Sequence, residues 1–292
     1  NTSSLFSTGL LGTGTNSSGV TNSIFLGQYA GEGATGATAS NFMGYQAGNI
    51  ATAATYSNFF GYQAGYAGTN SNYSNFLGNN AGYSATTAYN SNFLGSQAGY
   101  FAANASQSNF LGASAGSFAI NASQSNFLGS NAGNGATNAN NSNFIGPSAG
   151  YQATNAQFSN FIGVNAGYNA TNASSSILMG YYAGNGATGA TYSNFIGYQA
   201  GYQATSASYS NLFGYNVGFS NGNNIGSNNI IIGTNITLPN ARANSINLGG
   251  ILFGTGTYST TTGNTYLYAT TVSPTTGTQA TTRLNMQLGG KI

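Results

Sequence analysis

Acid–base chemistry has almost nothing to work with in these 292 residues. Glu32 is the only acidic side chain, Arg242, Arg283 and Lys291 are the only cations, and histidine and cysteine do not occur. General acid and base catalysis needs placed titratable groups, so a lone Glu32 at a variable position reads as a surface residue. A serine nucleophile needs an activating base. With no histidine, and Lys291 as the only lysine, the many serines read as turn and ladder chemistry. Gly254-Thr255-Gly256 lacks the Gly-Lys-Ser/Thr that completes a phosphate loop and reads as a turn. Repeated calcium sites need aspartates and thiolate metal sites need cysteines; the chain has neither. Neither an enzyme nor a bound cofactor is expected.

Recognition surfaces are better supplied. Tyr66, Tyr83, Tyr100, Tyr151, Tyr168 and Tyr202 share one spacing, and Tyr45, Tyr62, Tyr198 and Tyr215 share another. Aromatic rows can offer flat faces to glycans, while the plainer reading is stacked, half-buried ladder residues. A threonine row (Thr35, Thr52, Thr69, Thr86, Thr137, Thr154, Thr171, Thr188, Thr205) would suit ice, but Ala103 and Ile120 interrupt it and no second row pairs with it. Asn104, Asn121, Asn169 and Asn172 head N-glycosylation sequons that an Asn- and Ser-rich repeat generates by composition.

All of these rows have one origin, a seventeen-residue repeat. Gly27, Gly44, Gly61, Gly78, Gly95, Gly112, Gly129, Gly146, Gly163, Gly180, Gly197 and Gly214 recur twelve times without insertion or deletion. A second glycine follows each by four residues, from Gly31 to Gly218, and a serine precedes each by four, from Ser23 to Ser210. The consensus is S-N-F-(L/I)-G-x-x-A-G-x-x-A-T-x-A-x-x. Such a repeat is the structural unit, and its columns read as layers.

Two glycines per repeat would each cost a helix about 1 kcal/mol relative to alanine, so strand is the better reading. In Ser108-Asn109-Phe110-Leu111-Gly112 the side chains alternate, sending Phe110 and Leu111 to opposite faces. One face fills the coil and the other meets a neighbour. Gly112 and Gly116 suit corners or close backbone approach, and Ala115 and Ala119 suit a narrow interior. The fold class is therefore all-β, a parallel β-solenoid (β-roll). Its core ladder is Phe42, Phe59, Phe76, Phe93, Phe110, Phe127, Phe144, Phe161 and Phe195. An asparagine ladder stands beside it at Asn41, Asn58, Asn75, Asn92, Asn109, Asn126, Asn143 and Asn160.

Stacking also accounts for the missing charge. Columns repeat about every 4.8 Å, where two like charges repel by roughly 1 kcal/mol even in water, whereas amides bond and aromatics stack. Phe 18 and Tyr 21 give the chain more apolar surface than a disordered tract carries. A net charge of +2 offers no basic stripe for nucleic acid. The apolar runs are far short of the roughly 20 residues of a membrane span.

A thin single coil leaves half its apolar alternation outward, which implies partners. Asn-Phe-Ile-Gly-Tyr-Gln-Ala-Gly at 194–201 resembles the head repeats of YadA-like trimeric autotransporter adhesins, which also occur in phage tail-fibre proteins ending in an intramolecular chaperone. The resemblance spans roughly residues 20–250. It implies a parallel β-roll in each chain, three chains wound together, and a role in gripping a surface; it carries over no catalytic residues. Four regions are expected. Residues 1–20 form an irregular leading coil or assembly contact, 21–218 twelve repeats, 219–254 irregular capping coils, and 255–292 a small Thr-rich β element. The start at Asn1, with no charged segment leading into an apolar one, reads as a processed or truncated product, and a terminal chaperone is expected either to have been cleaved after assembly or to be lacking in this member. Two classes of function are expected: a structural subunit of an extracellular fibre, on a cell surface or virion tail, homotrimeric and able to add end to end into filaments; or a binding fibre whose tip or tyrosine stripe takes a glycan or receptor.

Overall fold

The computed structural model describes residues 22–219, 224–255, 269–271 and 280–282. The leading segment 1–20 and most of 255–292, with Arg283 and Lys291, lie outside the described residues. Every regular element among the described residues is a strand. Eleven three-residue strands, β1 to β11, start at Ile24–Leu26 and recur every seventeen residues to Asn194–Ile196. β12 (Asn211–Tyr215), β13 (Ile230–Thr234), β14 (Ser245–Leu248) and β15 (Leu252–Thr255) complete one sheet in strict sequence order. β1 to β14 pair parallel, with like columns opposite: Asn92 with Asn109, Phe93 with Phe110, Leu94 with Leu111. The chain is a parallel β-solenoid of one coil per repeat.

β15 turns back and pairs antiparallel to β14, ending the parallel stack. Coil length changes just before that end: Asn211 stands opposite Ile230, and Ile230 opposite Ile246. A two-stranded antiparallel pair, β16 (Ala269–Thr271) and β17 (Ala280–Thr282), follows.

Each coil has a very thin core. From one coil only Ser108, Phe110, Ala115, Gly116, Ser117, Ala119 and Ala122 are buried, so one ring supplies nearly all the apolar bulk. The rings stack face to face, Phe93 to Phe110 at 4.7 Å and Phe110 to Phe127 at 4.8 Å, with interplanar angles of 4° and 5°. Leu178 and Leu212 take the same place in two coils. The two glycines serve different needs. A Cβ on Gly112 (φ 134°) would stand 2.6 Å from the carbonyl carbon and oxygen of Gly129 in the next coil, so the first glycine lets coil backbones close up. A Cβ on Gly116 (φ 62°) would enter the Phe110 ring, so the second glycine seats the phenyl.

After each strand the backbone runs through consecutive tight turns: Ala47 N–H donates to Gly44 C=O, Asn49 to Gln46 and Ala51 to Gly48, at 3.2, 3.1 and 3.1 Å. This path puts non-glycine residues in the left-handed region, among them Gln46 (53°), Ile50 (48°), Ala53 (49°) and Tyr56 (57°). Each such residue costs about 1–2 kcal/mol. What offsets the cost is axial hydrogen bonding. Those four N–H groups donate to the preceding coil (Gln28, Glu32, Thr35 and Thr38 C=O, 2.7–3.0 Å), while Gly48 and Thr52 donate to the following one (Ala64 and Gly68 C=O, 2.8 and 2.9 Å). The threonine row joins coils by single parallel bridges, and Ala103 and the exposed Ile120 hold its place in two of them.

The serine column is buried. The single Ser108 O–H donates to Ala122 C=O at 2.7 Å, with Ser106 C=O also in reach at 3.1 Å, and Oγ accepts the Ser125 N–H at 3.1 Å. Its hydroxyl is committed to coil-to-coil bonding. Ser108→Ala should therefore cost about 1–3 kcal/mol, since a buried carbonyl and a buried N–H lose their partner; denaturant titration followed by far-UV circular dichroism measures it, and an unchanged midpoint would refute this role.

Candidate interaction surface

The face turned to solvent by the strands follows from the two-residue period. Side chains of the same parity, such as Tyr56, Asn58, Phe60 and Tyr62, point outward while Ser57 and Phe59 point in. Moving across the face, one meets a flanking column, the asparagine ladder, an apolar row, the first glycine and a second flanking column.

The asparagine ladder predicted from the repeat is present. Asn41 Nδ2 donates to Asn58 Oδ1 at 2.8 Å, and the bond recurs from each coil to the next as far as Asn160. Ile177 breaks the column before Asn194 bonds Asn211 at 2.7 Å. Each interior amide spends one N–H and its carbonyl on neighbours and keeps a second N–H directed outward.

Beside it runs the apolar row, from Leu26 and Met43 through Leu111 to Ile196 and Phe213, one residue per coil. Leu26, Met43, Ile145 and Met179 are exposed, and the rest of the row is half-buried. An axial groove of about 850 Å³ lies between ladder and row from Asn58 and Phe60 to Asn143 and Ile145. The whole row from Leu26 to Phe213 runs about 55 Å at one strand spacing per coil, and the groove takes in six of its coils.

Tyrosines form columns, as the spacing predicts. Tyr66 and Tyr83 stack at 4.9 Å and 7°, Tyr83 and Tyr100 at 5.2 Å and 26°. Interior rings cover one another's faces and turn only their edges outward. Repeat reading missed further members: Tyr181 stacks on Tyr198 at 5.2 Å, and Tyr56 on Tyr73 and Tyr192 on Tyr209 form a third column. The seventeen-residue spacing of these pairs was the available signal. A second amide ladder, Asn104–Asn121–Asn138–Asn155–Asn172, bonds at 2.8–2.9 Å and engages three of the sequon asparagines.

Charge plays little part in this surface. Glu32 accepts from Asn49 Nδ2 at 3.3 Å, and the Arg242 guanidinium sits 5.6 Å from the Phe253 ring centre near the other end. Burial, followed by the neighbouring tyrosines, raises the Tyr83 phenol above its usual range, and a hydrogen bond with Tyr182 raises Tyr181. A raised phenol pKa means that the unfolded chain ionises first, so its contribution is intact below about pH 10 and is lost above it. With no histidine and one carboxylate, the melting temperature should be flat from about pH 5 to 9 and fall above about pH 10. A calorimetric pH series checks this, and a transition near neutrality would contradict it.

Among the described residues no three potential metal-ligating side chains cluster, and no helix is long and apolar enough to cross a membrane. No family model matches the sequence, and no curated protein matches it.

Proposed function

We propose that this chain is the shaft-forming structural subunit of an extracellular fibre, on a cell surface or a virion tail. In this reading three copies share one long axis, and the fibre serves attachment to a surface. The observation that carries the proposal is the outward row, apolar in every coil from Leu26 to Phe213, while an adjacent outward column drifts through Tyr62, Asn79, Ser96, Ala113, Ser130, Pro147 and Val164. A compact ligand would require a few coils of that row. A partner lying along the whole solenoid requires all of them, and a second copy of this chain has the same axial repeat. A face about 55 Å long and roughly 15 Å wide offers about 800 Å² per copy, divided between two neighbours, or about 2,400 Å² over the three copies together, within the range of permanent assemblies. The near absence of charge removes the desolvation cost that a charged face would bring. Lateral assembly also suits the C-terminal end of the sheet, where the antiparallel β15 presents no further parallel coil for another solenoid to continue. The resemblance of the repeat to trimeric adhesin heads supports the same reading.

Sedimentation of the purified chain beside a Leu94→Asp/Leu128→Asp double variant tests it. Both leucines point outward, so the variant should keep its circular dichroism and lose assembly, the wild type sedimenting as a trimer and the variant as a monomer. A monomeric wild type at micromolar concentration would refute the proposal.

A further inference from the structure

The N-glycosylation sequon recurs through the repeat, and the fold treats its copies differently. N-linked transfer asks two things of a folded chain: a side-chain amide nitrogen that is free, and a hydroxyl two residues on that is within reach. Most copies fail one of these. Asn104 and Asn121 each spend Nδ2 on the next amide of their ladder, at 2.9 Å. The sequons of Asn72 and Asn140 are completed by hydroxyls of the buried serine column, Ser74 bonded to Ala88 C=O at 2.6 Å and Ser142 to Ala156 C=O at 2.7 Å. Two others are tethered through the carbonyl: Asn172 accepts from Asn155 Nδ2 and Asn235 from Asn216 Nδ2, both at 2.9 Å. Asn169, which heads Asn169-Ala170-Thr171, stands apart. Its backbone N–H is pinned to Tyr151 C=O at 2.8 Å, its side chain is exposed, and among the described residues nothing hydrogen-bonds that side chain.

The next coil explains why it is open. A side chain in this column leans over the coil before it: a Cβ on Gly33 would stand 3.0 Å from Ile50 Cγ2, and one on Gly135 3.3 Å from Gln152 Cγ. The residue placed to lean over Asn169 is Gly186, which has no side chain. We infer that Asn169 is the glycan acceptor of this chain and carries an N-linked oligosaccharide at the corner of its coil, with the half-buried Thr171 supplying the sequon hydroxyl. Transfer joins Asn169 Nδ2 to the anomeric carbon of a sugar on a lipid pyrophosphate carrier. The bond from that carbon to the pyrophosphate breaks, and the amide proton leaves with the freed carrier. The inference rests on the extracellular reading above, which brings the chain to a glycosylating enzyme, and adds a covalent site. Asn169 belongs to the turns after the strand, outside the columns of the strand face, so the glycan leaves lateral assembly in place.

Folded, purified chain incubated with an oligosaccharyltransferase and a lipid-linked oligosaccharide tests this, with a peptide of residues 166–176 confirming that the enzyme is active. Intact mass and fragmentation of chymotryptic peptides locate the product. One glycan per chain, on Asn169, is expected. Thr171→Ala should abolish it, and the fold accepts that change, since Ala103 already holds a place in the threonine row. Asn172→Gln should leave the yield unchanged. Gly186→Gln should cut it several-fold with circular dichroism unaltered, because Gln152 and Gln203 already stand in that column at positive φ. A folded chain left bare at Asn169, a chain modified first at any other sequon, or full yield from Gly186→Gln would overturn the assignment. A chain that takes the glycan at Asn169 yet sediments as a monomer would sink the lateral assembly and leave the acceptor site standing; an assembled chain bare at Asn169 would do the reverse.

Discussion

Gly112→Ala should unfold the coils on either side of it, at a cost above about 4 kcal/mol, in the rare tail of single substitutions. Two causes combine. A φ of 134° is a conformation that residues with a Cβ scarcely adopt. The added carbon would also lie 2.6 Å from the Gly129 carbonyl. That obstacle is backbone, held by its own axial hydrogen bonds, so relief means prising two coils apart. Gly135→Ala is the control. Gly135 has φ 67° and its Cβ would stand 3.3 Å from Gln152 Cγ, part of an exposed side chain free to turn. Other coils place Phe118, Gln152 and Asn169 there, also at positive φ. Its cost should be about 1–2 kcal/mol, the ordinary left-handed penalty. Thermal denaturation of the two variants side by side decides, and similar melting temperatures would show that coil spacing does not depend on the first glycine.

Phe110→Ala should cost about 3–5 kcal/mol, the usual range for emptying a buried aromatic site. The ring is fully buried between Phe93 and Phe127, and the alanines around it have no bulk with which to fill the gap. Phe110→Leu should cost less than about 1.5 kcal/mol, because Leu178 and Leu212 already occupy that column beside unchanged glycines. Coils of a solenoid touch only their neighbours, so the damage should be local. Amide exchange should show protection falling in the coils of Phe93 and Phe127 and persisting near Phe42 and Phe195. Uniform loss along the chain would contradict a nearest-neighbour account.

Much of this architecture is readable in the repeat. Phe110 and Leu111 part to opposite faces by strand alternation, and the asparagine column bonds as a ladder because identical amides recur at one strand spacing. Ser108 shares parity with Phe110, which is enough to place it inside, although its type alone points to a surface turn. Other features leave no mark in residue type. Gln46, Ile50, Ala53 and Tyr56 are ordinary side chains at positive φ, put there by the need to send alternate N–H groups up and down the axis. Asn229 is another case. It replaces serine in the buried column, accepts the Ser245 N–H at 2.9 Å and shares its two amide hydrogens among the carbonyls of Ile225, Gly226 and Arg242 at 2.7–3.1 Å. In a chain so rich in asparagine that role is invisible until coil lengths change around it. The candidate surface was half legible: alternation requires an outward apolar row, while the third tyrosine column, Tyr56 on Tyr73 and Tyr192 on Tyr209, shows only once the rings are seen to stack.

Cryo-electron microscopy of the purified protein tests the central claim most directly. Lateral self-association predicts discrete rods with three-fold symmetry, each arm a stack repeating about every 4.8 Å, with the asparagine and leucine columns turned toward the common axis. Single, unassociated solenoids with that face open to solvent would contradict it.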